Sequence, residues 1–174
     1  MDLIADHKIP VRYPLFETII LPHLMDGYHK NNPTSVKQLI KLNQEVYHSK
    51  VFRENKLDYS LFPLLKRGLS LIPNDYELLL IGYEALKNSL EYSIHELPSE
   101  LLNGTQSADE EACLELLENL NDFENICQKL GKDESVLIHL CRWHFQHYSI
   151  YLAGWQGGNF KVIKNIYNCL KMAL

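Results

Sequence analysis

The chain has 174 residues, of which 46% are hydrophobic and 22% charged, with a net charge of −5, a composition that suits one globular domain with a sizeable core and excludes a largely disordered chain. No apolar run approaches the roughly 18 residues of a membrane span, and no basic, then apolar N-terminal leader is present, so neither insertion nor export is expected. Four cysteines at least 14 residues apart, with no CxxC pair, point to a reducing, cytoplasmic setting rather than a disulfide framework.

The net charge conceals an asymmetry. Residues 1–87 carry 11 Lys or Arg and 10 Asp or Glu, residues 88–128 carry none and 10, and residues 129–174 carry 6 and 2. The middle segment is strongly acidic between mildly basic flanks, which bears on partners and not on fold.

Residues 1–13 lack periodicity and read as an arm. From Pro14, LFETIILPHLMDGYHK has helical apolar spacing, with Pro22 expected to kink or divide the helix. Asn31-Asn32-Pro33 reads as a loop, after which Thr34 or Ser35 is expected to cap a helix through about Tyr47. A helix from near Ser60 to Leu71 ends at Ile72-Pro73-Asn74-Asp75, which caps the next, about Tyr76 to Ile94, whose LLLIGY run is apolar nearly all round. Leu97 to Gln106 reads as a loop.

Two capping boxes follow, Ser107-x-x-Glu110 and Asn121-x-x-Glu124, predicting two amphipathic runs that end near Leu120 and Leu130, with Gly131 as the stop. The stretch Asp133 to Trp155 has a single narrow polar stripe, Ser135, His139, Arg142, Gln146 and Ser149, so a buried central helix is expected near 133–156, with Trp143 and Phe145 in the core. Gly157-Gly158 then turns the chain into a last helix, Phe160 to Met172, capped by Asn159. No segment alternates as a strand would. The expectation is an all-α, single-domain array or bundle of about eight helices.

Two segments carry a family resemblance. GGNFKVIKNIYNCLK, with Gly158, Phe160, Ile163, Tyr167 and Leu170, resembles the second helix of a tetratricopeptide repeat, and LLKRGLSLIPND, with Gly68, Leu69, Pro73 and Asn74, resembles the end of one. Gly68 and Leu170 are 102 residues apart, three periods of 34. The corresponding positions between them fall on His95, Ser99 and Lys129, which depart from the pattern. The resemblance implies degenerate helical hairpins and a peptide- or protein-binding scaffold.

His139, Cys141, His144 and His147 invite a metal reading, but on a helix only adjacent pairs share a face, at about 60° separation. A zinc site needs three or four converging ligands, so no metal and no cofactor are expected. GWQGGN lacks the spacing and the trailing Lys of a phosphate loop, and no hydrolase or metalloprotease signature occurs. Basic residues are scattered, which argues against direct nucleic-acid binding.

The helix SADEEACLELLENL is the most informative stretch. Ala112, Cys113, Leu116, Leu117 and Leu120 form its buried side, while Glu111, Glu115 and Glu118 stand at i, i+4 and i+7 on the other, and Asp109, Asp122 and Glu124 add charge of the same sign in the surrounding segment. Like charges at that spacing cost a helix roughly 0.2–0.5 kcal/mol per pair. The expected function is therefore a non-enzymatic one: an acidic surface that binds a basic protein partner, such as an immunity protein or antitoxin occupying the cationic groove of a nuclease toxin. A tetratricopeptide-like adaptor with an aromatic groove of Tyr148, Tyr151 and Trp155 is the alternative, and an enzyme using His144 and His147 is the third reading.

Overall fold

The structure, a computed structural model, describes residues 13–50, 59–96 and 110–156, with side chains described over 14–50, 59–96 and 114–148. The described residues hold seven helices and no strand: α1 over 13–29, α2 Pro33–Lys41, α3 Asn43–His48, α4 Leu61–Leu71, α5 Tyr76–Glu96, α6 Glu110–Leu130 and α7 Ser135–Gln156. The protein is all-α, and the chain divides into two compact units, residues 1–79 and 80–174. Residues 1–12 of the arm, the 97–106 loop, the Ser107 cap, the Gly157-Gly158 turn and the last helix fall outside the described residues, while Tyr13, expected in the arm, opens α1.

In the first unit Pro22 does not divide α1. Proline has no N–H and its ring crowds the carbonyl four residues back. The helix absorbs this by widening over Phe16–Ile20 into a π-helical turn, in which Leu21 N–H donates to Phe16 O. α1 ends in a paired-bond stop: Asn31, at φ 54°, donates to Tyr28 O at 3.1 Å and Asn32 to Gly27 O at 2.9 Å. The cap of α2 is Asn32, not Thr34 or Ser35. Because Pro33 occupies the first helical position without an N–H, the first donors are those of Thr34 and Ser35, and Asn32 Oδ1 accepts both, at 3.0 and 3.3 Å. α2 also stops earlier than expected, Leu42 leaving helical geometry at φ −102°, ψ 25° before α3 begins.

Two glycines set how closely these helices pack. A Cβ on Gly27 would lie 2.0 Å from Ser35 Oγ, and one on Gly68 would lie 2.9 Å from Ile40 Cδ1 and 3.1 Å from Leu78 Cδ1. α1 meets α2, and α2 meets α4, over Phe16, Leu21, Leu24, Val36, Leu39 and Leu64, all nearly or fully buried. Arg67 ties α4 to the α1–α2 turn through Tyr28 O at 2.9 Å and Asn31 Oδ1 at 2.7 Å, with its guanidinium 3.8 Å from the centre of the Tyr28 ring. Asp75 caps α5 by accepting from Leu78 N–H and holds Lys37 at 2.8 Å.

In the second unit α6 is one uninterrupted helix, which corrects the expectation of two runs divided at Asn121. Its buried stripe, Leu116, Leu120, Phe123 and Cys127, runs at i, i+4, i+7 and i+11 straight through that position. Burying this stripe outweighs the local preference of Asn for a cap, and the Asn121 side chain is exposed instead. Gly131, at φ 65°, ends α6 as expected: it donates to Gln128 O and Lys132 donates to Cys127 O. The α6–α7 hairpin covers residues 110–156, longer than a 34-residue repeat.

α7 packs on α6 through Ile138, Cys141, Phe145 and Tyr148, with His144 beside them. Its predicted polar stripe is present in Ser135, His139 and Gln146, all exposed. The enclosure expected on more than one side is not found over its first half, where Val136 is 82% exposed. Phe145 is fully buried, whereas Trp143 is only partly so and lies against His147, ring centres 4.3 Å apart.

Candidate functional site

The acidic residues singled out in the sequence do not all do the same thing. Glu115, Glu118 and Asp122 are exposed along one side of α6, where spacings of three, four and seven residues align them. Glu111 stands one turn before Glu115 on the same helix, its side chain outside the described set, and Asp109 lies outside the described residues altogether. Glu124 points elsewhere. It belongs to no capping box and instead accepts from Arg142 of α7 at 2.6 Å, in an ion pair that is about half exposed.

That pair borders an open cleft of about 730 Å³ along the outer side of the α6–α7 hairpin. Asn121, Asn125 and Gln128 line it from α6, and Ser135, Ile138 and His139 from α7. Asp133 lies at its turn end and accepts from Ser135 N–H at 3.1 Å, so the first turn of α7 is capped by the protein's own carboxylate.

At the inner edge of the cleft Glu134 gathers two partners from α5, 47 and 51 residues back in the chain. It accepts from Lys87 Nζ at 2.7 Å and from the Tyr83 hydroxyl. These two bonds hold the Glu134 carboxyl below its usual range. The Tyr83 ring stacks on Phe123 at 5.6 Å and carries the Lys132 ammonium 3.7 Å from its centre. The Tyr83–Glu134 link escapes sequence reading, because nothing local marks two residues so far apart as partners. The carboxamides at 121, 125 and 128 are legible in the sequence at i, i+4 and i+7.

The described histidines and cysteines of α6 and α7 lie in different surroundings. His139 is exposed, His144 is buried edge-on to Trp143 at 5.0 Å, and His147 Nδ1 donates to the Trp143 carbonyl at 2.7 Å. Among the described residues no three His, Cys, Asp or Glu side chains are placed to share a metal ion. Burial, with Glu91 nearby, pushes the Cys141 thiol up to about 12, and burial followed by Glu134 raises that of Cys127. Both are therefore thiols and not thiolates at neutral pH.

Burial, and then His147, lower the pKa of His144 from 6.5. The unfolded chain accepts this proton at a higher pH than the folded one, so stability is highest above pH 6.5 and declines as pH falls toward the folded value. Melting temperature is expected to drop between about pH 7 and 5, and to drop less in His144→Gln. Equal slopes in the two proteins would show that His144 does not control this range.

Comparison of the chain with protein-family models, curated proteins and solved structures finds no match. Among the described residues no helix is long and apolar enough to cross a membrane.

Proposed function

We propose that the protein is a non-enzymatic binding protein whose α6 face takes up a basic protein partner, and that its most concrete form is an immunity protein or antitoxin that masks a nuclease toxin. The observation that carries this reading is the exposure of Glu115, Glu118 and Asp122 along one side of α6, within 41 residues that contain no Lys or Arg. A nuclease groove must be cationic to hold phosphates, and a row of carboxylates on a rigid helix can occupy it by charge mimicry. The raised cysteine thiols and the engaged His147 favour binding over catalysis. Tyr148, one of three aromatics that could line a peptide groove, is buried, which weighs against that alternative.

The test uses immobilised protein to capture its partner from the native host, with the bound protein eluted over a salt gradient. Partner release is expected to rise steeply toward ~150 mM salt, where the screening length is about 8 Å. The variant Glu115→Gln, Glu118→Gln, Asp122→Asn should bind more weakly, chiefly through a slower association rate, with an unchanged melting curve. Salt-insensitive capture that the triple variant retains in full would overturn the proposal.

A further inference from the structure

Glu134 ties the α6–α7 turn to α5 through one oxygen. Its Oε1 accepts from the Tyr83 hydroxyl and from Lys87 Nζ at 2.7 Å, and Lys87 Nζ also lies 3.3 Å from the Tyr83 oxygen. Phe123 of α6 stacks on the Tyr83 ring. Two ammonium groups share that ring as well, Lys132 at 3.7 Å and Lys87 at 5.6 Å from its centre.

The groups that act on Glu134 come from each element around it. α5 presents Lys87 and Tyr83, the turn presents Lys132, and α6 presents the Cys127 thiol, whose pKa Glu134 raises and Lys132 and Lys87 lower. Asp133, the neighbouring carboxylate, is turned to Ser135 N–H. While Glu134 is ionised, its charge offsets one of the two ammonium groups. A proton on Glu134 leaves both ammonium groups uncompensated about the same ring and replaces a charged acceptor by a neutral one, so an attraction between α5 and the turn becomes a repulsion.

We infer that Glu134, Tyr83 and Lys87 form an acid-sensitive latch, closed while Glu134 is ionised and released when it takes up a proton, which frees the α6–α7 turn from α5 without unfolding the hairpin. This device stands apart from the partner surface proposed above. Lys87, and then Tyr83, hold the folded carboxyl below its unfolded value, so the latch is fully closed above about pH 4.3 and is lost as pH falls through the folded value. The hairpin itself is held by Leu120, Ile138, Cys141 and Phe145, none of which changes charge in that range. His144 in the same contact also titrates in acid, so the test has an arm at neutral pH.

Cys127 reports the latch. It is buried beside the turn, at the edge of the cleft, and its carbonyl accepts Lys132 N–H at 3.0 Å, so a turn that leaves α5 uncovers this thiol. Cys141, fully buried where α7 packs on α6, reports unfolding of the hairpin instead. The experiment labels the full chain with dithiodipyridine, a disulfide that reacts with thiols in acid as well as at neutral pH. Peptide mass spectrometry locates the label, and each rate is divided by that of a free cysteine peptide at the same pH. The Cys127 rate is expected to rise about tenfold between about pH 7 and 4 while Cys141 stays protected, the factor that loss of one hydrogen bond to a charged group gives. Glu134→Gln, neutral and of the same shape, should label at the faster rate already at neutral pH and gain little more in acid. Lys87→Met added to Glu134→Gln removes one of the two ammonium groups and should slow the labelling of Cys127 again. If Glu134→Gln at neutral pH labels Cys127 as slowly as wild type, the ionised carboxylate does not hold the turn and the inference is overturned. Labelling of Cys127 and Cys141 together would overturn it too, since the hairpin would then open as a whole.

Discussion

Phe123→Ala is expected to lower stability by roughly 3–5 kcal/mol, a truncation that removes a ring and leaves its cavity. Phe123 is 0% exposed, stacks on Tyr83 and sits in the stripe that joins α6 to its neighbours. For a chain of this size the loss corresponds to a drop in melting temperature of roughly 6–20 °C. Phe145, also 0% exposed, should behave alike. Trp143→Ala is the control, because its ring is only partly buried and leans on His147, so a clearly smaller loss is expected despite the larger side chain. Thermal melts followed by far-UV circular dichroism check this. If Trp143→Ala proved as damaging as Phe123→Ala, the placement of α7 would be wrong.

Gly27→Ala should be the most disruptive small substitution in the first unit, although Ala is the better helix former by about 1 kcal/mol. The new methyl would meet Ser35 Oγ at 2.0 Å and Ser35 Cβ at 2.6 Å, distances that force α1 and α2 apart. Overpacking of this kind costs roughly 1–3 kcal/mol. Ser35→Gly removes both clashing atoms, so the double variant Gly27→Ala, Ser35→Gly should recover most of the loss that the first change causes. Denaturant titrations of the two single variants and the double variant measure the coupling directly. Additive losses with no recovery would show that the close approach of α1 to α2 does not govern stability there.

That α1 ends near Asn31, that Asp75 opens α5 and that Gly131 closes α6 were all visible in the chain, because each boundary depends on a residue and its neighbours within a turn. The alignment of Glu115 with Glu118 was visible for the same reason, the helical period alone placing them on one side, whereas Asp122 joins them only because α6 runs on through Asn121. Asn121 has the local signature of a cap, since the pattern Asn-x-x-Glu is the same whether a helix begins there or continues. Only the stripe from Leu116 to Cys127, once packed, decides for continuation.

The sequence by itself determined the helical class, the boundaries at Asn31, Asp75 and Gly131 and the alignment of Glu115 with Glu118, because backbone hydrogen bonds and side-chain periodicity are set by residues close in the chain. Tertiary structure alone decided that Glu124 turns to Arg142, that Glu134 gathers Tyr83 and Lys87, and that Phe145 is enclosed while Val136 is exposed. A helical period says which residues share a face, but which face is covered, and by whose side chains, depends on partners tens of residues away that no local pattern encodes.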